Sequence, residues 1–198
     1  MDRLLIANRG EVAIRVARAA AELGITTVAV YSEEDANSLH RSKADEAVLL
    51  QGRGARAYLD IDQLVRVAVD NRCDALHPGY GFLSENSDFA AQLAQANINF
   101  VGPTAETLAL LGDKVAARRL AAECDVGVLA GSSGAVSLED ARAFFASLPD
   151  ATDMVIKAVS GGGGRGMRVV ASAAELDQAY QRCTSEAQLA FADPRVYV

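Results

Sequence analysis

Apolar and polar residues alternate along residues 1–102 in blocks that predict strands and helices in turn. Short β-branched or leucine-rich runs predict strands at 3–7, 26–32, 46–50, 74–79 and 98–102. Between them, apolar residues at helical spacing predict helices at 11–23, 61–71 and 84–97. A strand, a helix and a further strand at this spacing form a βαβ unit, which implies a parallel sheet. We therefore predict an α/β fold with a doubly wound, open parallel sheet.

The pattern changes after Pro103. Two consecutive helices are predicted at 104–112 and 113–124, and the glycine- and serine-rich stretch 127–137 is typical of a linker or exposed loop. The remaining elements are a helix at 138–148, strands at 153–159 and 167–171, and a helix at 172–183. They predict a second, smaller α+β unit. It stops at Val198 in the opening of a strand, so we expect the chain to be the first part of a longer protein.

The composition and charge of the chain argue against several classes of function. The formal net charge of −7 argues against a sequence-independent nucleic-acid binder, which needs a basic face. The three cysteines stand at wide spacing, which predicts neither a disulfide framework nor a zinc site. An apolar strand starts within three residues of Met1, and long apolar runs are missing, so we expect no targeting peptide, no membrane span and a cytoplasmic protein.

The glycine run "SGGGGRGM" lies between the predicted strands 153–159 and 167–171. It fits G-x-G-x-x-G by letter, but that fingerprint must open a helix, and no Gly-Lys-Ser/Thr follows as a P-loop requires. A hairpin whose backbone amides approach phosphates fits the context better. The alternative is a plain surface turn, for which two glycines suffice. Lys157 and Arg165 beside the run favour phosphate binding.

Lys114 stands at the start of a predicted helix, where the helix dipole disfavours a cation. A solvent-facing lysine is the ordinary explanation for one such residue. Together with the glycine run, Lys114 is a candidate for binding a polyphosphate.

Four segments together resemble one known family, biotin carboxylase, an ATP-grasp ligase. They are "IANRGEVAIRVARAAAELG" (6–24), "HPGYGFLSEN" (77–86), "VGPTAETLALLGDKVAARR" (101–119) and "IKAVSGGGGRGMRVV" (156–170). The resemblance covers the whole chain in order. It implies a Rossmann-like N-terminal (pre-ATP-grasp) domain at 1–112, a linker helix at 113–130 and the start of an ATP-grasp domain, an incomplete α+β lid, at 131–198.

The same resemblance implies an activity for the intact protein. ATP and Mg²⁺ would drive carboxylation of biotin on a carrier protein or domain by bicarbonate, through carboxyphosphate. It also implies a homodimer and a carboxyltransferase, outside these residues, that takes the carboxyl group to its final acceptor; whether the parts are separate subunits or one multidomain chain stays open. Which acyl-CoA or keto acid accepts it stays open.

Residue by residue, the resemblance makes Lys114 and Lys157 nucleotide-binding lysines. It implies that four glycines of the run bind the ATP phosphates: Gly161, Gly162, Gly163 and Gly164. It places three residues at the border of the biotin and bicarbonate pocket, Tyr80, Gly81 and Glu85. For these three, a structural turn with a helix cap is the competing interpretation. It places three more at a dimer interface, Arg15, Arg18 and Glu22, for which a solvated helix face is the alternative.

The chain departs from the family in two ways. The family often has Lys-Ala-Ser or Lys-Ala-Ala before an unbroken glycine run, whereas this chain has Val159 and Ser160 there, a change from which we expect little effect. The family's catalytic and metal-binding residues would lie beyond Val198, so we expect these residues alone not to turn over. Two other hypotheses stay open: another ATP-grasp ligase such as the carbamoyl-phosphate synthetase large chain, and a non-catalytic nucleotide-binding or dimerisation module.

Overall fold

The computed structural model describes residues 1–160 and 166–198. These residues divide into two compact units, Met1–Ala109 and Leu110–Val198. Gly161 to Gly164, predicted to bind phosphate, lie outside the described residues together with Arg165. The prediction for the four glycines therefore stays a prediction.

The first unit is built on a five-stranded parallel sheet. Its strands are β1 (Arg3–Ile6), β2 (Thr26–Tyr31), β3 (Glu46–Leu49), β4 (Ala75–His77) and β5 (Asn99–Phe100). Its helices are α1 (Gly10–Glu22), α2 (Ile61–Asp70) and α3 (Ser87–Gln95). The strand order is β3-β2-β1-β4-β5, and every neighbouring pair is parallel. The predicted Rossmann-like sheet is confirmed.

The two faces of this sheet carry different cores because alternate residues of a strand point to opposite sides. On one face, Leu5, Val28 and Leu76 pack in a cluster with α2 and α3 residues such as Leu64 and Phe89. The other face has Leu4, Ile6 and Ala75 in a cluster with the buried alanines of α1. Helices therefore cover both faces, as a doubly wound sheet requires.

The second unit has a small antiparallel sheet. Its elements, with α4 reaching back across the unit boundary, are α4 (Ala105–Gly112), α5 (Lys114–Glu123), α6 (Leu138–Ser147), β6 (Met154–Ala158), β7 (Met167–Val170), α7 (Ala173–Phe191) and β8 (Val196–Tyr197). Among the residues described there, the strand order is β7-β6-β8, with both pairs antiparallel. Met154, Ile156 and Val170 turn towards α6 and α7 and form the core with Leu176 and Cys183.

The stretch 127–137, predicted as a linker or exposed loop, is partly built into this unit. The Ser132 amide donates to the Val198 carbonyl at 2.8 Å, and the Val136 amide donates to the Val196 carbonyl at 2.9 Å. The second half of the stretch therefore runs along β8. Leu129, in the first half, is 86% exposed, and exposed residues alternate with half-buried ones in the second half. The stretch is therefore a loop, as predicted, and its second half is also held by backbone hydrogen bonds.

Candidate functional site

The two strands predicted on either side of the glycine run are present as β6 and β7. Strands β6 and β7 pair antiparallel, with Lys157 opposite Met167 and Val155 opposite Val169. Directly opposed residues of an antiparallel pair lie on the same face of the sheet. Because Ile156 packs in the core, Lys157 belongs to the other face. Met167 is 41% exposed and Val169 is 58% exposed on that face.

The C-terminal base of the hairpin accepts only glycine. Gly166 has φ +65°, and a Cβ atom there would lie 2.9 Å from the Ala158 Cβ. Its carbonyl accepts hydrogen bonds from the Ala158 amide at 2.7 Å and from the Cys183 thiol at 2.8 Å. Burial raises the pKa of Cys183 to about 11, so its thiol keeps the proton that it donates. Gly166 is therefore fixed against both β6 and α7.

The N-terminal base of the hairpin is tied by polar contacts to the segment just before β8. The Ser160 hydroxyl donates to the Asp193 carboxylate at 2.7 Å, and the Arg195 guanidinium donates to both oxygens of the same carboxylate. The Val159 amide donates to the Arg195 carbonyl at 3.0 Å. Arg195 first, and then Ser160, hold the pKa of Asp193 well below its usual range. Ser160, one of the two positions that depart from the family, thus has a partner within this chain.

Lys157 borders a cleft of about 330 Å³ in the second unit. Tyr197, opposite Lys157 on β8, lines it together with Val155 and Leu129. Burial raises the pKa of the Tyr197 phenol, while the Arg118 guanidinium opposes that shift. The cleft therefore offers apolar walls with an ammonium and a guanidinium at its border, a combination suited to an aromatic base that carries phosphates.

Lys114 is the first residue of α5, as predicted. The Asp113 side chain caps this helix by accepting from the amides of Val115 and Ala116. Residues four apart on a helix share a face, so Lys114 lies on the side of Arg118, which lines the Lys157 cleft. Both candidate lysines therefore lie in the second unit, Lys157 at the cleft and Lys114 one helical turn before Arg118 on α5.

In the first unit, the β4–α3 loop contains the three residues predicted to border the biotin and bicarbonate pocket. Tyr80 is 69% exposed, and its hydroxyl donates to the Glu11 carboxylate at 3.2 Å. Gly81 has φ +70° and Glu85 is exposed. The cap of α3 is the neighbouring Asn86, whose side chain accepts from the Phe89 amide. The loop lies at the carboxyl ends of β1 and β4, where an open α/β sheet binds its ligands.

His77, at the end of β4, holds the start of this loop. Its Nδ1 accepts a hydrogen bond from the Gly79 amide at 2.9 Å, which requires that nitrogen to be unprotonated. Burial lowers the pKa of His77 below its ordinary 6.5. Arg15, which is positively charged, lines the same groove as His77.

We expect His77 to make the protein less stable as the pH falls below about 6.5. Its pKa is lower in the folded state, so the unfolded state binds more protons in that window and stability is lost as the pH falls. His77→Asn places an acceptor near Nδ1 that does not titrate. Urea unfolding at several pH values from 5 to 8 should show a weaker pH dependence for the variant. Identical pH profiles would contradict this assignment.

The three residues predicted at a dimer interface, Arg15, Arg18 and Glu22, are all exposed on α1. The helix buries Ala13, Ala17 and Ala20 instead. Arg15 pairs with Glu11, one turn earlier, at 3.4 Å. The outward face of α1 is therefore open in the single chain, which suits either a solvated face or an interface.

Two further features concern only the described residues. In 1–160 and 166–198, no group of three His, Cys, Asp or Glu side chains is placed to hold a metal ion. No helix in the described part of the chain has the length and apolar character needed to cross a bilayer. These residues thus give no ligand set for Mg²⁺.

Two family descriptions match the chain in sequence. "Biotin carboxylase, N-terminal domain" matches residues 1–108, and "Carbamoyl-phosphate synthase L chain, ATP binding domain" matches residues 113–198. Among curated proteins, the chain is 50% identical to pyruvate carboxylase of Aspergillus niger over 202 residues and 48% identical to the human mitochondrial pyruvate carboxylase over 202 residues. Each match covers 100% of this chain and 17% of the relative.

Solved structures give the same picture. The biotin carboxylase domain dimer of Hydrogenobacter thermophilus 2-oxoglutarate carboxylase, in complex with MgADP, ADP and bicarbonate, is 36% identical and superposes with a TM-score of 0.94. That match covers 99% of this chain and 43% of the other. A biotin carboxylase–ATP complex from Campylobacter jejuni is 40% identical, with a TM-score of 0.91, over 99% of this chain and 44% of the other.

Proposed function

We propose, since this chain belongs to the biotin carboxylase family, that the intact protein carboxylates carrier-bound biotin at the expense of ATP. A bicarbonate oxygen attacks the γ-phosphorus, the bond to ADP breaks, and carboxyphosphate forms. Carboxyphosphate then splits into CO₂ and phosphate; the CO₂ carbon bonds to a biotin nitrogen, and the phosphate takes up the proton that this nitrogen loses. Such phosphoryl transfer depends on positioning and charge stabilisation. The solved relatives were obtained with nucleotide, and one of them with magnesium and bicarbonate as well.

The observation that carries this proposal is the cleft beside Lys157. A β-hairpin places the Lys157 ammonium on a sheet face where its opposed neighbours are Met167 and Tyr197. An apolar cleft for the base and a cation for the phosphates are the two features that a nucleotide needs. We assign Lys157 and Lys114 to ATP and extend the assignment to the glycines at 161–164. We also keep the boundaries 1–112, 113–130 and 131–198 for the domain, linker helix and lid.

For the first unit we propose that the β4–α3 loop borders the pocket for biotin and bicarbonate. Exposed Tyr80, together with Gly81 and Glu85, stands at the carboxyl edge of the sheet, where ligands of this fold class bind. Mg²⁺ would neutralise phosphate charge when bound. Since the described residues give no ligand set for it, we assign it no residue of this chain.

We propose that the exposed face of α1 forms a homodimer interface through Arg15, Arg18 and Glu22. We expect Arg18→Glu to raise the dimer dissociation constant of the intact protein about tenfold, because it puts like charges into the contact. Sedimentation velocity over a concentration series measures this. Arg66→Glu, an exposed reversal on α2, is the matched control and should leave the constant unchanged. Equal constants for the two variants would count against the interface.

A carrier protein or domain and a carboxyltransferase complete the proposed system. Since the curated relatives named above are pyruvate carboxylases, pyruvate is the first acceptor to test. The decisive experiment measures ADP release by the intact protein with ATP, magnesium and bicarbonate, with and without free biotin. Stimulation by biotin supports the proposal. Stimulation by ammonia in place of biotin would favour carbamoyl-phosphate synthesis, and no release in either case would favour a non-catalytic module.

A further inference from the structure

Asn8 lies directly after β1 and is almost completely buried, with 3% of its surface exposed. Its Nδ2 amide donates to the Pro78 carbonyl at 2.7 Å and to the Tyr80 carbonyl at 3.0 Å. Its Oδ1 accepts from the Arg9 amide at 2.9 Å. The side chain thus uses both of its hydrogens and its oxygen within the protein. A residue so enclosed cannot touch a substrate, and it can act only through the loop that it holds.

The backbone of that loop is unusual. Gly79, Gly81 and Phe82 have φ values of +68°, +70° and +42°, so three of four consecutive residues lie in the left-handed region. Glycine adopts this region freely, but at Phe82 the conformation is strained and persists only when the surroundings hold it. Gly79 also packs so tightly on Asn8 that a Cβ atom would lie 2.6 Å from Nδ2.

Two carbonyl oxygens therefore converge on one amide nitrogen. The bond to the Pro78 carbonyl is buried, and the bond to the Tyr80 carbonyl is partly buried. Without the Asn8 donor, the buried Pro78 carbonyl would lose this hydrogen bond, which is costly, and the turn can avoid the cost by opening. The Asn8 amide is thus the group that keeps the turn closed and fixes the direction of the backbone at Tyr80 and Gly81.

The Tyr80 side chain depends on this backbone. Its ring is 69% exposed and its hydroxyl bonds to Glu11, itself exposed on α1. The body of the ring thus has little protein packed around it, so its position is set mainly by its own main chain. Any ligand that stacks on or beside Tyr80 meets a surface whose placement Asn8 determines.

We propose that Asn8 is a positioning residue for biotin: its side-chain amide holds the Pro78–Gly81 turn so that Tyr80 and Gly81 form one wall of the biotin pocket. The inference rests on the proposed function in assigning biotin to that wall. It predicts a selective effect, because the turn lies in the Met1–Ala109 unit and the ATP candidates lie in the Leu110–Val198 unit.

The test uses Asn8→Asp in the intact protein. The substitution keeps the shape of the side chain but replaces the donor amide by an oxygen that repels both carbonyls. We expect the KM for free biotin in the ADP-release assay to rise about tenfold or more, since two carbonyls of the turn lose their shared donor, while the KM for ATP stays unchanged. Asn99→Asp, an exposed change on β5, is the matched control. Asn8→Ala replaces Asn8→Asp if the charged variant does not fold.

Unchanged KM values for both substrates would overturn the proposal. So would a parallel rise of both KM values, which indicates general loss of structure. Hydrogen–deuterium exchange of the peptide 78–86 separates this inference from the proposed function. If the wild-type protein shows no biotin-stimulated release, the proposed function fails. In that case the exchange result still tests Asn8. Faster exchange of this peptide in the Asn8 variant than in Asn99→Asp shows that Asn8 holds the turn, and equal exchange in the two variants shows that it does not.

Discussion

We expect Lys157→Met to raise the KM for ATP of the intact protein about 10- to 100-fold, which corresponds to losing one hydrogen bond to a charged group. Methionine keeps the unbranched apolar stem in a half-buried position of β6 and removes only the ammonium. The fold should therefore persist, and the thermal midpoint should move little. Initial rates over a range of ATP concentrations give the KM.

Lys43→Met is the matched control, because Lys43 is exposed in the other unit and has no part in the proposed site. Its KM for ATP should equal that of the wild-type protein. If Lys157→Met also keeps the wild-type KM, the cleft beside β6 is not the nucleotide site, and the central support for the proposed function is lost.

We expect Gly79→Ala to lower the free energy of unfolding by roughly 3 kcal/mol, the sum of a left-handed non-glycine residue and an overpacked contact. Gly79 has φ +68°, and the new Cβ would lie 2.6 Å from both the Asn8 Nδ2 and the Val12 Cγ1. Urea denaturation followed by circular dichroism measures the loss.

Gly24→Ala provides a control that isolates the backbone cost. Gly24 has nearly the same φ, +69°, but an added Cβ meets nothing within 4 Å. It should cost only about 1 kcal/mol, the ordinary penalty of the left-handed region. If the two variants lose the same free energy of unfolding, the contact with Asn8 relaxes freely. The tight packing of the turn would then contribute nothing to stability.

The sequence predicts the first unit well because its strands are marked by local signals. Runs such as 26–32 are β-branched and continuous, as expected for strands covered on both faces. The predicted ends of helices are wrong where a capping or buried side chain decides the boundary. The helix predicted at 84–97 begins at Ser87 because Asn86 caps it. The helix predicted to end at Cys183 continues to Phe191, since Ala187 packs in the interior and the left-handed turn at Ala192 comes later.

The candidate site likewise contains some residues that the sequence predicts and others that it does not. Lys157 is predictable because it stands next to a glycine run in the sequence. Arg118 and Tyr197 are not, because they join Lys157 through the pairing of β8 and the packing of α5, contacts between residues some 40 positions apart. The role of Asn8 cannot be predicted from the sequence for the same reason, since its hydrogen-bond partners lie 70 and 72 residues away. No local pattern of residues reports a contact of that length.

The strand order of the two sheets bears on the way the chain folds during synthesis. In the first unit β1 is central, so the sheet can grow outwards from it as β2, β3, β4 and β5 emerge. In the second unit β6 has a free edge until β8 arrives, because the partners of Lys157 and Ala158 on that side are Tyr197 and Val196. At a synthesis rate of roughly 5–20 residues per second, the hairpin spends a few seconds with that edge unpaired. An unpaired strand edge is a template for pairing with another chain, so the nascent second unit is open to aggregation during this window.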